Sequence, residues 1–405
     1  MAMSASSSSP VKLAEVEPRC AHFGDCGGCR LQNLAYEAQV EKKKAYLLEL
    51  LERIEWRGEI TMHPSPEPWY YRNKMEFSFQ DVFPAPEEGE DHLLLGLKRR
   101  NRWDKVMNLS ECHLLSPEAP KLLDSVHAWA RKENLEPYNL HKHVGFLRHL
   151  AVREGKNTGE SMVNLLTGPG EFPRESFVKS VLDVYPATTI LRGVHSEKSD
   201  VAVSKDVEVL HGPGVIYDEL LGKRFRISPY SFFQTNTKGA EFLYTLIRDW
   251  VSQLKPKNVI DLYCGGGGIS LTVADLCERV MGVELVESAI EDARHNSQEN
   301  SVTNCEFMTA KVEDVLPGLA SQKIDVDVAL LDPPRSGLHP TVIKAVKELS
   351  APYVLYVSCN PKAMVEDVKR MSEMYDLVKV EGVDLFPHTD HLEAVALLRS
   401  VYHRD

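Results

Sequence analysis

From about Phe225 onward, short apolar runs alternate with segments of helical length and periodicity, and this rhythm restricts the fold more than any other feature of the chain. Residues 258–262, 280–284, 327–331 and 353–357 read as buried strands, and residues 241–254, 269–276, 287–300 and 341–349 as helices. Such alternation predicts an α/β fold of the doubly wound, Rossmann-like kind, a mostly parallel sheet with helices on both faces. Ligands of these sheets bind beyond the carboxyl ends of the strands. Asp261, Glu284, Asp332 and Cys359 all fall at such ends.

The first 225 residues follow another pattern. Residues 36–54 read as an amphipathic helix, with Val40, Leu47, Leu51 and Ile54 on one stripe. Residues 69–108 look strand-like around an acidic, proline-bearing loop at 83–91, and residues 147–153 and 161–166 form a hairpin pair. The expected division is a disordered polar tail (1–16), a cysteine-bearing segment with its helix (17–62), a central mixed α/β domain (63–225) and the doubly wound domain (226–405).

A chain of 405 residues with 43% hydrophobic content can bury two or three cores. No apolar run approaches the roughly 20 residues of a membrane span, and residues 1–10 lack the apolar segment of a secretory signal. A cytoplasmic protein is expected, and a monomer, because no heptad or apolar stripe stands out. The net charge of −12 counts against a polyanionic partner, but the charge is uneven. Lys98, Arg99, Arg100, Arg102 and Lys105 surround Trp103. Further basic groups lie at Lys42–Lys44, at Arg72 and Lys74, at Arg148 and Arg153, and at Lys223, Arg224 and Arg226. Five such clusters, some with aromatic neighbours, predict an RNA-facing surface with Arg72, Lys74, Arg99 and Arg100 as phosphate contacts.

Cys20, Cys26 and Cys29 form Cys-x5-Cys-x2-Cys, and Cys112 follows after a long gap. In a cytosolic chain a metal centre is the better reading than disulfides. Gly24, Gly27 and Gly28 let backbone wrap closely around it. Four thiolates suit either tetrahedral zinc or an iron-sulfur cluster, and His22 and His113 are near enough in sequence to substitute. Cys264, Cys277 and Cys305 read as packing residues.

The strand-end residues suggest their own chemistry. Gly265–Gly268 permit close approach to a ligand, and Glu284, 23 residues after Asp261, can accept hydrogen bonds from a ribose. The run is not a full G-x-G-x-x-G, which favours a single-nucleoside cofactor such as S-adenosylmethionine over a dinucleotide. Asp332-Pro-Pro-Arg335 fixes a carboxylate at a strand end. Arginine in place of an aromatic there weakens an amino-methyltransferase reading. A pyrimidine carbon is a poor nucleophile until a thiolate adds to the neighbouring ring carbon, so methylation at carbon 5 needs one cysteine and one base. Cys359 and Glu393 are the candidates.

Ser228–Asn236, Asp261–Gly265, Asp332–Gly337, Ser358–Pro361 and His391–Glu393 occur in an order that resembles the RNA uracil-5-methyltransferase family, and the match runs from about Cys20 to Leu398. The resemblance implies that Gln234, Tyr263, Glu284 and Asp332 bind S-adenosylmethionine, that Cys359 is the nucleophile and that Glu393 removes the proton. It also implies a [4Fe-4S] cluster on Cys20, Cys26, Cys29 and Cys112. Two departures stand out: glycine at 268, where many members carry asparagine, and no room before Cys20 for the small RNA-binding barrel many members have. The chain is most similar to compact members that modify large-subunit ribosomal RNA, which makes ribosomal RNA the expected partner and tRNA the alternative. A non-catalytic iron-sulfur RNA-binding protein is the contrasting reading from another class.

Overall fold

Strand Asn258–Leu262, apolar toward both faces, lies inside an eight-stranded sheet. The structure, a computed structural model, describes residues 13–82 and 91–403; most of the expected polar tail and all but Asp91 of the acidic loop lie outside the described residues. Across the sheet the order is Thr61–His63, Tyr375–Val383, Glu393–Ser400, Tyr353–Ser358, Val328–Leu331, Asn258–Leu262, Arg279–Glu284 and Cys305–Thr309. The last five run parallel, and Glu393–Ser400 is antiparallel to both its neighbours. The chain leaves Asn258–Leu262 first toward Arg279–Glu284 and later crosses to Val328–Leu331. The reversal opens a crevice at the carboxyl ends of the two strands, where such sheets bind ligands.

Helices cover both faces. Pro340–Leu349, Pro361–Met371 and Val312–Ser321 pack on one, Thr237–Leu254 and Gly268–Val273 on the other. Helix Tyr36–Glu52, read from the sequence together with the cysteine segment, joins the first group: Leu47, Leu50 and Leu51 share a core with Val365, Val368 and Met371. Thr61–His63 then pairs in parallel with Tyr375–Val383 and extends the same sheet. Within the expected tail, Glu15 forms an antiparallel bridge with Leu34.

A second sheet of seven strands has the order Arg102–Asn108, Leu93–Arg99, Lys74–Asp81, Leu147–Glu154, Ser161–Thr167, Thr189–Val194 and Asp206–His211. Its pairings are antiparallel except between Ser161–Thr167 and Thr189–Val194. Phe77, Leu150, Phe177 and Trp129 fill the core beneath helices Ala119–Lys132 and Arg174–Leu182.

Three of the basic clusters are drawn in part into pairs within the fold, although Lys42 and Arg224 stay partly exposed. Arg224, on the hairpin strand Lys223–Ile227, reaches Glu299 at 3.3 Å and lies over the Tyr217 ring, while Arg226 faces Asp292 at 3.7 Å. Arg148 is buried and donates to the Glu197 and Ser199 carbonyls, and Arg153 is buried as well. Lys43 forms a buried ion pair with Asp384 at 2.6 Å.

Candidate active site

The turn after strand Asn258–Leu262 requires left-handed backbone: φ is +69° at Tyr263, +53° at Gly265 and +80° at Gly267. Tyr263 and Cys264 both donate their N–H groups to the Val283 carbonyl, which pins the turn to the next strand. At the end of that strand Glu284 accepts from the Gly265 N–H at 3.2 Å and from the Val286 N–H at 2.9 Å. Each carboxylate oxygen is thereby oriented and keeps a lone pair for a ligand. The turn walls a cleft whose lining includes Gln234, Tyr263, Asp261, Asp332 and the exposed ring of Phe232.

The cleft is acidic. Asp261 is fully buried and accepts from the Ser270 hydroxyl, and its other oxygen has no protein partner. Burial pushes its carboxyl up to about 6. Asp332 follows strand Val328–Leu331, and burial, reinforced by Asp261 and Glu284, pushes it up to about 7. An orphaned carboxylate oxygen beside a second raised carboxyl suits a cationic ligand. At Gly268 a Cβ would stand 2.6 Å from the Tyr244 hydroxyl, so Tyr244 occupies the space an asparagine would need. The Gln234 side chain faces the same hydroxyl.

Strand pairing brings the other two sequence candidates together. Ser358 lies opposite Ala394 in the antiparallel register, which puts Cys359 and Glu393 at the next step of the ladder. Burial, then the Asp332 charge, raises the Glu393 carboxyl well above the usual carboxylate range. The Cys359 thiol is pushed up to about 11 by burial first and by Glu393 and Asp332 after it, with Arg335 acting in the opposite sense. Arg335 is held by the Asn360 amide on its carbonyl at 2.7 Å and by His391 at 3.2 Å.

An open trough approaches this pair at His391, which bonds Arg335 and lies two residues before Glu393. Arg30, Arg72, Lys74, Thr235 and His391 line it, together with Gly27 and Gly28 of the cysteine loop. Arg99 lies at the tip of a hairpin bridged to Cys26 and is paired with Asp25 at 2.5 Å; the Arg100 N–H donates to the Asp25 carbonyl. Cys20, Cys26, Cys29 and Cys112 line one small cavity. Burial is the first cause that raises the Cys29 thiol to about 12, and the other three cysteines add to it. Gly27 approaches the Lys98 carbonyl so closely that a Cβ would stand 2.9 Å from it. Among the described residues no group of three or more His, Cys, Asp or Glu side chains converges as the ligands of a single metal ion do.

Residues 218–401 match the family described as tRNA (Uracil-5-)-methyltransferase. A Clostridium tetani protein described as an uncharacterized RNA methyltransferase is 38% identical over 392 residues, covering 95% of this chain and 84% of its own length. The chain belongs to the RNA uracil-5-methyltransferase family. Another uncharacterized RNA methyltransferase, from Caldanaerobacter subterraneus, is 36% identical and covers 95% of the chain and 85% of its own. The crystal structure of Pyrococcus abyssi tRNA (uracil-54, C5)-methyltransferase in complex with S-adenosyl-L-homocysteine superposes with a TM-score of 0.76 at 31% identity, covering 92% of this chain and 85% of that one.

Like any RNA uracil-5-methyltransferase, this enzyme must hold a uracil ring against a methyl donor. The acidic cleft and the Cys359–Glu393 pair both border Asp332. Sequence reading missed one residue of the cleft: Tyr244 lay unmarked in a helical run. Among the described residues no helix is long and apolar enough to cross a membrane.

Proposed function

We propose that the enzyme methylates carbon 5 of a uridine in RNA through a covalent adduct on Cys359, with Glu393 as the base and Gln234, Tyr263, Glu284 and Asp332 holding S-adenosylmethionine. The observation that carries this reading is the ladder step that sets Cys359 beside Glu393, next to the carboxylate Asp332 of the cleft. The Cys359 thiolate adds to carbon 6, and the ring electrons move to carbon 5 and oxygen 4. Bound S-adenosylmethionine would supply an electrophilic methyl group, which carbon 5 would take as the sulfonium–methyl bond breaks and S-adenosylhomocysteine leaves. Glu393 then takes the proton from carbon 5, the double bond re-forms, and the carbon–sulfur bond breaks to return the thiolate. The target base must first leave its stack, at a cost of a few kcal/mol.

We further assign a [4Fe-4S] cluster to Cys20, Cys26, Cys29 and Cys112. The fit rests on four thiols around one cavity, on the Gly28 N–H donating to the Cys26 sulfur at 3.4 Å, and on close backbone approach at Gly27. A cluster would keep these thiols ionised against the burial that now raises three of them. The cysteine segment, the central sheet and the doubly wound half serve this reading as cluster site, RNA grip and catalytic unit.

The preferred substrate is large-subunit ribosomal RNA, supported by the four-cysteine motif of the compact members. A tRNA substrate is the second reading, favoured by the activity of the Pyrococcus abyssi relative. The test is transfer of labelled methyl groups to unmodified transcripts of each RNA, followed by nucleoside analysis. Label in 5-methyluridine on the ribosomal transcript is the expected result. Label in methylated adenosine or guanosine, or activity that survives Cys359→Ala, would sink the mechanism.

A further inference from the structure

The segment that enters strand Lys74–Asp81 faces two sites at once. Arg72 and Lys74 line the open trough, while the residue between them, Asn73, is only 4% exposed and points into the other half of the molecule. Its side-chain amide donates to the Gln234 carbonyl at 2.7 Å and to the Thr237 hydroxyl at 2.9 Å. Its backbone N–H donates to the Thr235 carbonyl at 2.9 Å, and Arg72 forms an antiparallel bridge with Asn236. Residues 234–237 are thus fastened, one after another, to residues 72 and 73. Gln234 lines the cofactor cleft and Thr235 the trough. A carboxamide suits this position because both its N–H donors meet oxygen acceptors, and an aspartate would set a carboxylate against the same oxygens.

We propose that Asn73 is a positioning residue that couples the two substrates, so that RNA held by Arg72 and Lys74 sets the Gln234 loop for the methyl donor. The coupling rests on the assignment of trough and cleft made above. It is energetic and reciprocal: whatever factor RNA exerts on cofactor affinity, cofactor exerts on RNA affinity. The chemistry alone does not require it, since Cys359, Glu393 and Asp332 all lie outside this segment.

The test is calorimetric titration of S-adenosylhomocysteine into the full-length protein, with and without a saturating transcript that accepts the methyl group. In the wild type, RNA should tighten the nucleoside by about fivefold to a hundredfold. In Asn73→Ala that factor should fall to within about twofold of one, while RNA alone binds within about threefold of wild type. An equal factor in both proteins, or none in the wild type, overturns the proposal. A wild type that binds RNA but no S-adenosylhomocysteine overturns the cofactor assignment beneath it, so the two failures are separable. Hydrogen exchange in the wild type avoids dependence on the variant's folding: RNA should slow exchange across residues 231–237, and unchanged exchange there overturns the coupling.

Discussion

In the roles proposed for them, Cys359 and Glu393 both start on the protonated side. With its thiol pushed up to about 11 by burial and two neighbouring carboxylates, Cys359 loses thiolate about tenfold for each pH unit below that value. Glu393 is likewise raised, and it must be ionised to take the carbon 5 proton. Both groups gain their active form as pH rises, so kcat/KM should climb from neutral into alkaline pH. Arg335→Gln should move that limb to higher pH by removing the cation that opposes the shift; a pH–rate profile of the two proteins checks it. Glu393→Gln should slow turnover by about 10²–10⁴-fold. It should also leave protein joined to RNA on a denaturing gel, because the thiol cannot leave while the carbon 5 proton stays. Asp332, pushed up to about 7 by burial, should through its proposed contact give cofactor binding its own pH dependence. Below that value it is neutral and attracts no cation, so S-adenosylmethionine should bind more tightly as pH rises from about 5.5 to 8. S-adenosylhomocysteine, without the sulfonium charge, should respond less, and titration of both across that range decides the matter.

Among the elements, the strand-end turn of residues 263–268 is the most constrained. A methyl group at Gly268 would meet the Tyr244 hydroxyl at 2.6 Å, and Tyr244 is buried in a helix that cannot retreat. Gly268→Ala should therefore cost about 1–3 kcal/mol by overpacking. Adding Tyr244→Phe should recover most of the loss, since the next ring atom stands 3.2 Å away; thermal melts of the single and double variants test this. The glycine run was plain in the sequence, but its partner Tyr244 lies 24 residues earlier and only packing brings them together. The same contrast holds across the fold. Strands Asn258–Leu262, Arg279–Glu284, Val328–Leu331 and Tyr353–Ser358 were legible because their largely buried positions give each a short apolar run. Cys305–Thr309 was not, because it lies at the sheet edge with most of its side chains toward solvent. Lys223–Ile227 was read only as a charge cluster, since ion pairing to distant Glu299 and Asp292 leaves no local signal.

For the whole molecule, the cysteine loop and the proposed base, Glu393, are mechanically joined. The Arg30 and Leu31 N–H groups donate to the His388 carbonyl at 2.7 and 3.0 Å, and the His388 ring stacks on Trp69 with centroids 3.7 Å apart. From there the chain runs through His391 to Glu393. Cys29→Ala should lower the iron and sulfide content, depress the melting temperature and slow methyl transfer while S-adenosylhomocysteine still binds; loss of nucleoside binding in step with iron would contradict this. The parallel pairing of Thr61–His63 with Tyr375–Val383 has a consequence for biogenesis. This edge strand waits for a partner more than 300 residues downstream, as does helix Tyr36–Glu52 for Val365, Val368 and Met371. Contacts so distant along the chain are slow to close and leave apolar surface uncovered on the ribosome. The large sheet cannot be completed until strand Glu393–Ser400 has emerged, which makes the nascent enzyme a natural client for chaperones.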